Sequence, residues 1–553
     1  MSRVTPADLE DLSTTGLGWW RGNGAAPLTE PEAIGRALRH IRRGLFVVED
    51  EGRPAVAESG SALLGESTPD PGARRLLGYV PPCPVEALGD ASFCADHGLR
   101  YAYVTGAMAN GIGSAEIVEA MSKEGMLSFF GAAGLPLRRV EEAVDRITRS
   151  LGNGPYGFNL IHSPNEPGWE AAVADLYLRR GVRLVEASAF LDLTPPIVRY
   201  RTHGLRRDEN GRVVARNRLI AKISRVEVAR KFLAPPPEAF LNDLVRSGDL
   251  TKDQARMARE IPMAQDLTAE ADSGGHTDNR PAIALLPTML ALRDRMQKEH
   301  GYAAPLRVGA AGGIATPHAA AAAYAMGAAY ILTGSVNQAC IEAGTSDSVR
   351  EMLAAADQAD IAMAPAADMF EMGVKVQVLK RGTMFAMRAA KLYELYRTHD
   401  SIDAIPADER AKLEKTYFRA PFDEILEETR RHFLEQDPAQ WERAGRDPKH
   451  RMALAFRWYL GLSSSWANSG ENSRKVDYQI WCGPAMGAFN EWVRGSFLEE
   501  PKNRHVVTIA LNILFGTAVL TRIQALRGQG IRLGGAEGRL IPLPAGEVKE
   551  RLA

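Results

Sequence analysis

Short β-rich apolar runs alternate with amphipathic helical stretches from Tyr101 to about Gly344, and this alternation limits the fold more than any other feature of the chain. Such a pattern forces parallel strands that are covered by helices. Eight runs over roughly 240 residues are the count of a closed (β/α)8 barrel, the TIM barrel, and a doubly wound sheet is the second choice. The candidate strands are 101–107, 127–131, 156–161, 183–187, 219–224, 264–269, 306–310 and 330–332.

Two further regions flank this α/β barrel, which we place at residues 96–350. Residues 1–95 contain short β-like runs such as 45–48, so we expect a small α+β region there, with a connector at 68–72 that is rich in proline and glycine. Residues 351–553 turn helical, and we predict a helical subdomain that covers the barrel mouth.

Two interruptions enlarge the barrel between about 205 and 260. The dipeptide Asn210-Gly211 is a hairpin turn signal in the first of them. In the second, Pro235-Pro236-Pro237 introduces a pair of charged helices that reaches Glu260. Neither insertion has the appearance of a catalytic segment.

The composition argues against several classes of protein. The chain has 553 residues and a formal net charge of −1, which gives no electrostatic reason to expect nucleic-acid binding. Its four cysteines, Cys83, Cys94, Cys340 and Cys482, show no CxxC spacing. We therefore predict no metal site, and a reducing compartment fits better than a disulfide scaffold.

We expect neither a secretory signal nor a membrane span. The first twenty residues lack a basic segment followed by an apolar run. The most apolar late stretch, 506–520, is interrupted by Thr508, Asn512 and Thr517, and it is shorter than the ~20 residues that a bilayer span requires. The prediction is a cytoplasmic protein in which 506–520 forms a buried helix.

The segment EADSGGHTDNRP, residues 270–281, places His276 after two glycines at the end of an apparent strand. A barrel enzyme can present an acid or base to a flat cofactor from such a position. A single histidine is more often structural, but its place after Gly274-Gly275 favours a substrate-facing role as a proton donor. His162 and His318 rank below it, because capping or solvent exposure explains them more simply.

Two glycine-rich turns follow the last two candidate strands and lead into helices, where free backbone amides suit a phosphate. They contain Gly312, Gly313, Gly334 and Ser335. Either turn alone could be an ordinary tight turn, but in a closed barrel the pair of them is the usual phosphate site. A Rossmann domain is rejected because the segment GIGSAE, residues 111–116, lacks the third glycine of that fingerprint.

The first candidate strand ends in Gly106, Ala107 and Met108, whose small residues allow the main chain to approach one edge of a flat ring. Close packing at a strand end would also explain them. Asn159 lies inside the strand YGFNLI, where a buried amide needs a hydrogen-bond partner, and a ring edge in the barrel mouth is a candidate.

Lys222 stands between apolar residues in what should be a buried strand. An unpaired ammonium is unfavourable there, so a carboxylate, a phosphate or a reduced ring must stabilise it. An ion pair with Glu186 or Asp266 is the purely structural alternative.

The SGGH turn, the paired glycine turns, Asn159 and the TGAM segment together resemble flavin-dependent barrels of the nitronate monooxygenase and flavin enoyl reductase superfamily, over residues 100–345. A more specific resemblance extends through VKVQVLKRGTMFAMRA at 374–389 and the segments SSSWANSGE and VDYQIWCGPAMGAFNEW within 463–492. Over nearly the whole chain it is similar to the PfaD family, the trans-acting enoyl reductases of polyunsaturated fatty acid and trans-acyltransferase polyketide synthases.

This resemblance implies an FMN enzyme that reduces an enoyl thioester on an acyl carrier protein. NADPH would reduce the flavin, a hydride would pass to the substrate β-carbon, and an acid would protonate the α-carbon. His276 matches the catalytic position. The residues implied to bind the cofactor are Gly106, Ala107, Met108, Asn159, Lys222, Gly274, Gly275, Gly312, Gly313, Gly334 and Ser335. More distant members usually have a glutamate at Asp272, so the role of that carboxylate stays open.

Other interpretations remain at this point. A nitronate monooxygenase would use the same flavin with oxygen and His276 as a base, although the long C-terminal region argues against it. A docking protein without a flavin is a third possibility, and a homodimer is left open. If a carrier protein binds, the basic residues Lys380, Arg381, Arg388 and Lys391 are candidates for contact, with an ordinary solvated helix face as the alternative.

Overall fold

The computed structural model describes residues 16–65, 72–164, 167–533 and 539–553. The first fifteen residues and, apart from Gly72, the connector predicted at 68–72 lie outside the described residues. The chain divides into two compact units. One contains the described residues up to Ala91 with Thr316–Ala325 and Thr508–Ala553, and the other contains Ser92–Ala315 and Met326–Val507. The boundaries that we placed after residues 95 and 350 stay predictions.

The first unit contains an antiparallel sheet of five strands. Their bounds are β1 Gly18–Arg21, β2 Leu45–Asp50, β3 Arg53–Ala57, β4 Ser61–Leu64 and β5 Arg74–Val80. The strand order is β3-β2-β5-β1-β4. Trp20, Val48 and Leu76 pack together in its core, because alternate residues of each strand point to one face. This unit contains the helices Pro31–Arg39, Pro317–Ala325 and Ala545–Leu552 and most of the helix Val506–Gly528.

The second unit contains the predicted TIM barrel. The strands from residue 103 onward are β6 Tyr103–Thr105, β7 Leu127–Phe130, β8 Tyr156–Ile161, β9 Leu184–Ser188, β10 Arg206–Arg207, β11 Val213–Val214, β12 Arg218–Ile223, β13 Asp266–Glu270, β14 Gly275–His276, β15 Arg307–Ala311, β16 Ile331–Thr333, β17 Ile361–Pro365 and β18 Lys375–Leu379. Eight of them close in the order β12-β13-β15-β16-β6-β7-β8-β9, with parallel pairing at each step. Strands such as β7 are buried along their whole length because both faces of a parallel barrel are covered.

The helices of the second unit cover the barrel and continue beyond it. Their bounds are Ala91–His97, Ala115–Lys123, Leu137–Leu151, Pro167–Arg180, Pro195–Thr202, Val226–Leu233, Glu238–Ser247, Lys252–Ala258, Ala282–His300, Ser335–Gln338, Asp347–Ala354, Phe385–Thr398, Ala407–Leu413, Phe422–Gln436, Pro438–Ala444, Pro448–Ser469 and Ala485–Val493. The hairpin predicted at Asn210-Gly211 is confirmed as β10 and β11, with Gly211 at a φ of 75°. The pair of charged helices predicted after the three prolines is confirmed as Glu238–Ser247 and Lys252–Ala258.

A small antiparallel sheet, in the order β14-β18-β17, was not predicted. The region after residue 350 is therefore not purely helical. Strand β18 pairs with both neighbours, so it fixes the segment that carries His276 to the chain beyond the barrel.

Helix Val506–Gly528 confirms the predicted buried helix and extends it. It is long and apolar enough to cross a membrane by length and composition alone, but 83% of its most apolar window is buried inside the protein. That burial is typical of a core helix.

Candidate active site

A cavity of about 890 Å³ lies at the C-terminal ends of the barrel strands. Each of the eight strands contributes residues from its last position or from the loop that follows. The loop between β17 and β18 and one face of each of the helices Phe422–Gln436 and Pro448–Ser469 complete the wall. TIM-barrel enzymes place their active sites at this end of the barrel.

The structure brings every residue predicted for the site to this one cavity, although their roles stay predictions. The cavity is lined by Gly106, Ala107, Met108, Asn159, Lys222, Gly274, Gly275, His276, Gly312, Gly313, Gly334 and Ser335.

Lys222, near the end of β12, forms an ion pair in the cavity wall. Its Nζ lies 3.0 Å from Glu270 Oε1, with the two side chains 15% and 16% exposed. The suggested partner Asp266 is wrong, because it begins β13 and its carboxylate binds Arg307 at the opposite end of the strand. Burial lowers the pKa of Lys222, but the negative charges of Glu270 and Glu186 raise it by a larger amount. The net shift of the pKa is therefore upward, and Lys222 keeps its charge.

Glu186, in β9, is fully buried beside this pair. Its Oε2 accepts hydrogen bonds from the Ala107 backbone N–H at 3.2 Å and from Ser188 Oγ at 3.3 Å, whereas its Oε1 has no partner among the described residues. Burial raises the pKa of Glu186 to about 7, with Lys222 lowering it and Glu270 raising it. A buried carboxyl that titrates near neutral pH is typical of a functional site.

Asn159 is held by the protein itself. Its amide nitrogen donates to the Glu186 backbone oxygen at 3.1 Å and to Ser188 Oγ at 2.9 Å. The polar partner that a buried strand asparagine requires is thus supplied by β9, and this fixes the side chain at the edge of the cavity.

His276 forms the second charged pair of the site. Its Nε2 lies 3.2 Å from Asp368 Oδ1, on the loop between β17 and β18, and 32% of its side chain is exposed. Burial lowers the pKa of His276, but Asp368 and Glu270 raise it, and the net direction is upward. Burial raises the pKa of Asp368, but the interaction with His276 lowers it by a larger amount, so the net direction is downward. The imidazole is therefore biased toward its protonated form.

The loop before His276 is fixed by a network of amides. Asp272 Oδ1 accepts from Asn279 Nδ2 at 2.8 Å and from Gln377 Nε2 at 3.0 Å, and Gln377 also donates to the Ser273 backbone oxygen at 2.9 Å. The Asp272 carboxylate thus stabilises the conformation of this loop. A Cβ at Gly274 would lie 2.9 Å from the Cys482 backbone nitrogen, so this close approach requires glycine.

The glycines of the two predicted phosphate turns differ in their surroundings. Gly312 has a φ of +84°, and a Cβ there would lie 2.6 Å from the Ala271 carbonyl carbon. Gly313 and Gly334 instead face open space, since a Cβ at either would meet no described atom within 4 Å. The helix that begins at Ser335 has only four residues, so loop amides rather than a helix dipole are available there.

Sequence reasoning missed Glu270, Asp368 and Gln377. Glu270 ends the strand DLTAE and could have been found, because residues at the C-terminal end of a barrel strand face the mouth. Asp368 and Gln377 lie about a hundred residues from His276, on the β17–β18 loop and on β18, and no local pattern signals their contacts with the His276 segment.

Comparisons with known proteins agree with this geometry. Residues 96–402 match the family model of nitronate monooxygenase, and residues 399–478 match that of the inserted helical domain of [acyl-carrier-protein] S-malonyltransferase. The crystal structure of the enoyl reductase domain of MlnA, from the macrolactin biosynthesis cluster of Bacillus amyloliquefaciens, is similar with a TM-score of 0.76 and 44% identity. That match covers 80% of this chain and 99% of the MlnA domain.

Two curated relatives are similarly close in sequence. The chain is 51% identical over 512 residues to a polyunsaturated fatty acid synthase polypeptide of Thraustochytrium sp., covering 91% of this chain and 34% of that protein. It is 51% identical over 436 residues to the polyketide biosynthesis protein PksE of Bacillus subtilis, covering 79% of this chain and 56% of that protein. The chain thus spans about a third to somewhat over half of the length of these relatives.

The nitronate monooxygenase match covers more than half of the chain, and the solved enoyl reductase domain is similar along nearly its whole length. The resemblance that the sequence motifs indicated is confirmed. The chain belongs to the nitronate monooxygenase family, and within it to the PfaD-like enoyl reductases.

Proposed function

We propose that the protein is a trans-acting, FMN-dependent enoyl reductase that reduces the α,β double bond of an enoyl thioester on an acyl carrier protein, with NADPH as the reductant. The names of its relatives suggest service to a polyketide or polyunsaturated fatty acid synthase. The observation that carries the proposal is that the His276–Asp368 pair lies on the same cavity as the open glycine turns after β15 and β16.

The residues of the cavity fit a flavin phosphate. The open space beside Gly313 and Gly334 leaves backbone amides accessible to phosphate oxygens. Gly106, which follows β6, and Lys222 both line the cavity, and the ammonium of Lys222 would supply a positive charge to stabilise a reduced flavin. When bound, the flavin would supply the hydride that the substrate β-carbon receives.

In this proposal His276 supplies the proton for the α-carbon, so that the hydride and the proton together give a saturated thioester. An imidazolium has two N–H donors. Since Asp368 engages Nε2, the Nδ1 proton is the one left for the substrate. The raised pKa of His276 favours the protonated ring, which is the form that a general acid requires.

An acyl carrier protein is the proposed partner, but the basic residues first considered for its contact are mostly engaged within the chain. Arg381 binds Asp357 and Asp360, and Lys391 lies near Glu394 and Glu409. Arg388 binds the fully buried Asp477, so its charge supports the fold. These contacts favour the ordinary helix face over a docking patch at these residues.

The cytoplasm is the proposed compartment. All four cysteines are free thiols, which fits a reducing environment. The apolar helix Val506–Gly528 is mostly buried, which fits a core helix.

The test begins with the purified protein. The bound flavin is extracted and identified, and turnover of crotonyl-carrier protein is measured anaerobically with NADPH and with NADH. We expect FMN, a preference for NADPH, and a butyryl product by mass spectrometry. A protein that folds but binds no flavin, or that turns over no enoyl thioester, contradicts the proposal.

Oxidation of a nitronate is the second candidate, because the matching family model carries that description. The same preparation is supplied with propyl nitronate and oxygen. Efficient turnover of the nitronate together with inert crotonyl-carrier protein would favour the monooxygenase.

A further inference from the structure

Gly461 lies in the interior of the helix Pro448–Ser469, where glycine is less favourable than alanine. It is not among the glycines with a positive φ, so its backbone conformation does not require glycine. A Cβ built on it would meet no described atom within 4 Å, so packing does not require glycine either.

Two other glycines inside helices show the contrast. A Cβ at Gly516 would lie 2.6 Å from Pro317 Cγ, and a Cβ at Gly487 would overlap the backbone nitrogen of Gln358. Both positions need glycine because a neighbour occupies the space. The space above Gly461 is instead the cavity at the barrel mouth, which Gly461 lines.

Apolar side chains lie near Gly461 on the cavity wall, together with polar and charged ones such as Glu428, His432 and Arg457. Trp458 precedes Gly461 by three residues and Leu462 follows it, so that the three share one helical face, whereas Leu454, seven residues before Gly461, is fully buried. Phe433 contributes from the helix Phe422–Gln436. The indole nitrogen of Trp458 donates to Glu428 Oε2 at 2.9 Å, which satisfies its polar atom and leaves the ring as apolar surface.

This wall and His276 line one continuous cavity. A volume of about 890 Å³ is near the upper end of the range for a single small-molecule site, so the cavity has room for a second ligand beside a cofactor. The apolar side chains of Trp458 and Leu462 beside Gly461 fit an extended hydrocarbon.

We propose that the helix faces around Gly461 form the subsite for the acyl chain of the substrate, and that Gly461 is a specificity-determining residue that keeps this subsite open to long chains. The inference rests on the proposed enoyl reductase function. A larger side chain at position 461 would project into the subsite and shorten the chain that it accepts.

The test uses the flavin-loaded full chain as wild type, Gly461→Ala and Gly461→Leu, with crotonyl and dodecenoyl thioesters of pantetheine. We expect Gly461→Leu to lower kcat/KM for the dodecenoyl substrate by about tenfold or more while the crotonyl value changes by less than about twofold. Gly461→Ala should have a small effect on either substrate and a higher melting temperature. The control is Gly528→Leu, at the end of another helix, with the same open space and no place in the cavity wall.

Equal losses for both substrates in Gly461→Leu, or no loss for either, would overturn the subsite. A wild type that reduces neither thioester would instead contradict the proposed function, so the two failures are distinguishable. If Gly461→Leu does not fold, Gly461→Cys gives the answer by thiol labelling read from the peptide mass. Dodecanoyl-pantetheine should slow the labelling of that cysteine by about tenfold or more and butyryl-pantetheine should not, whereas equal labelling rates overturn the proposal.

Discussion

At the N-terminal end of the barrel strands, the Asp266 carboxylate binds Arg307 at 2.6 and 3.2 Å and His97 at 2.8 Å, so both of its oxygens are used. At the C-terminal end, Lys222 and Glu270 form a single ion pair, and the neighbouring Glu186 has one oxygen without a partner among the described residues. Strand β13 contributes a carboxylate to each cluster, Asp266 at its start and Glu270 at its end. The clusters differ in how completely their hydrogen-bonding groups are paired.

This difference in pairing indicates that the Asp266 cluster contributes to stability and that the Glu186 cluster is suited to chemistry. A carboxylate with strong partners has a lowered pKa and stays charged. Burial raises the pKa of Asp266, but His97 and Arg307 lower it by a larger amount. The incompletely paired Glu186 has its pKa raised to about 7 by burial. A group that can change its charge near neutral pH is useful at a redox site, and Glu186 lies at the cavity end of the barrel.

The largest effect is expected when the fully paired cluster around Asp266 loses its arginine. Arg307→Ala leaves Asp266 with only part of its partners in a buried site, and it should lower the free energy of unfolding by about 3–5 kcal/mol. The control is Arg381→Ala, whose side chain is 50% exposed and which should lower it by less than about 1 kcal/mol. Urea unfolding measures the free energy of unfolding of both variants. A loss for Arg307→Ala as small as that for Arg381→Ala would show that the buried pairing of Asp266 does not contribute the expected stability.

His276→Ala probes the chemistry at the cavity end. Turnover of an enoyl thioester should fall by about 10²–10⁴-fold, because general acid catalysis typically contributes that much. The matched control is His505→Ala, which removes another histidine–carboxylate pair, 3.0 Å from Glu342, outside the cavity lining. A loss of turnover in His505→Ala of the same size would show that the effect is structural.

Glu186→Gln tests the incomplete pairing through pH. Because the folded protein holds the Glu186 proton up to about pH 7 and the unfolded chain releases it near its ordinary pKa, wild-type stability falls as pH rises between these values, by up to about 1.4 kcal/mol per pH unit. The variant lacks this fall. Its advantage in free energy of unfolding over the wild type should therefore grow from pH 4.5 to pH 7 and then level off. A constant difference across this range would contradict a raised pKa.

The smallest effect is expected from Asp368→Asn. Loss of the carboxylate should lower the pKa of His276 and move the falling limb of the pH–rate profile to lower pH, with turnover at neutral pH reduced by about tenfold or less. The raised pKa stabilises the wild type most below the unfolded histidine pKa, and this stability is lost as pH rises through the folded pKa. The variant should thus be less stable than the wild type at pH 6, and the difference should shrink at high pH. An unchanged limb would remove Asp368 as a positioning residue.

The sequence predicted the barrel well because each strand is a buried apolar run bounded by turn residues. The candidate strand 156–161 coincides with β8, and 183–187 differs from β9 by one residue at each end. Strands β17 and β18 were missed, because a region dominated by helical periodicity concealed two five-residue strands.

The sequence predicted which residues line the candidate site, but it did not predict the ion pairs that Lys222 and His276 form there. Glycines and a histidine at strand ends have local signals, and all of those named line the cavity. The partners of Lys222 and His276 depend on contacts between residues 48 and 92 positions apart, which local patterns do not encode. The helical cover was predicted as a class of structure, but the face that it presents became visible only in the structure.

One measurement tests the central claim most directly. The protein is reduced with NADPH under anaerobic conditions, freed of excess nucleotide, and mixed with crotonyl-carrier protein while the flavin absorbance is followed for wild type and His276→Ala. The account predicts rapid reoxidation in the wild type with formation of butyryl-carrier protein, and reoxidation at least about 100-fold slower in the variant at equal flavin content. Wild-type absorbance that stays unchanged with the thioester and recovers only with oxygen would contradict it.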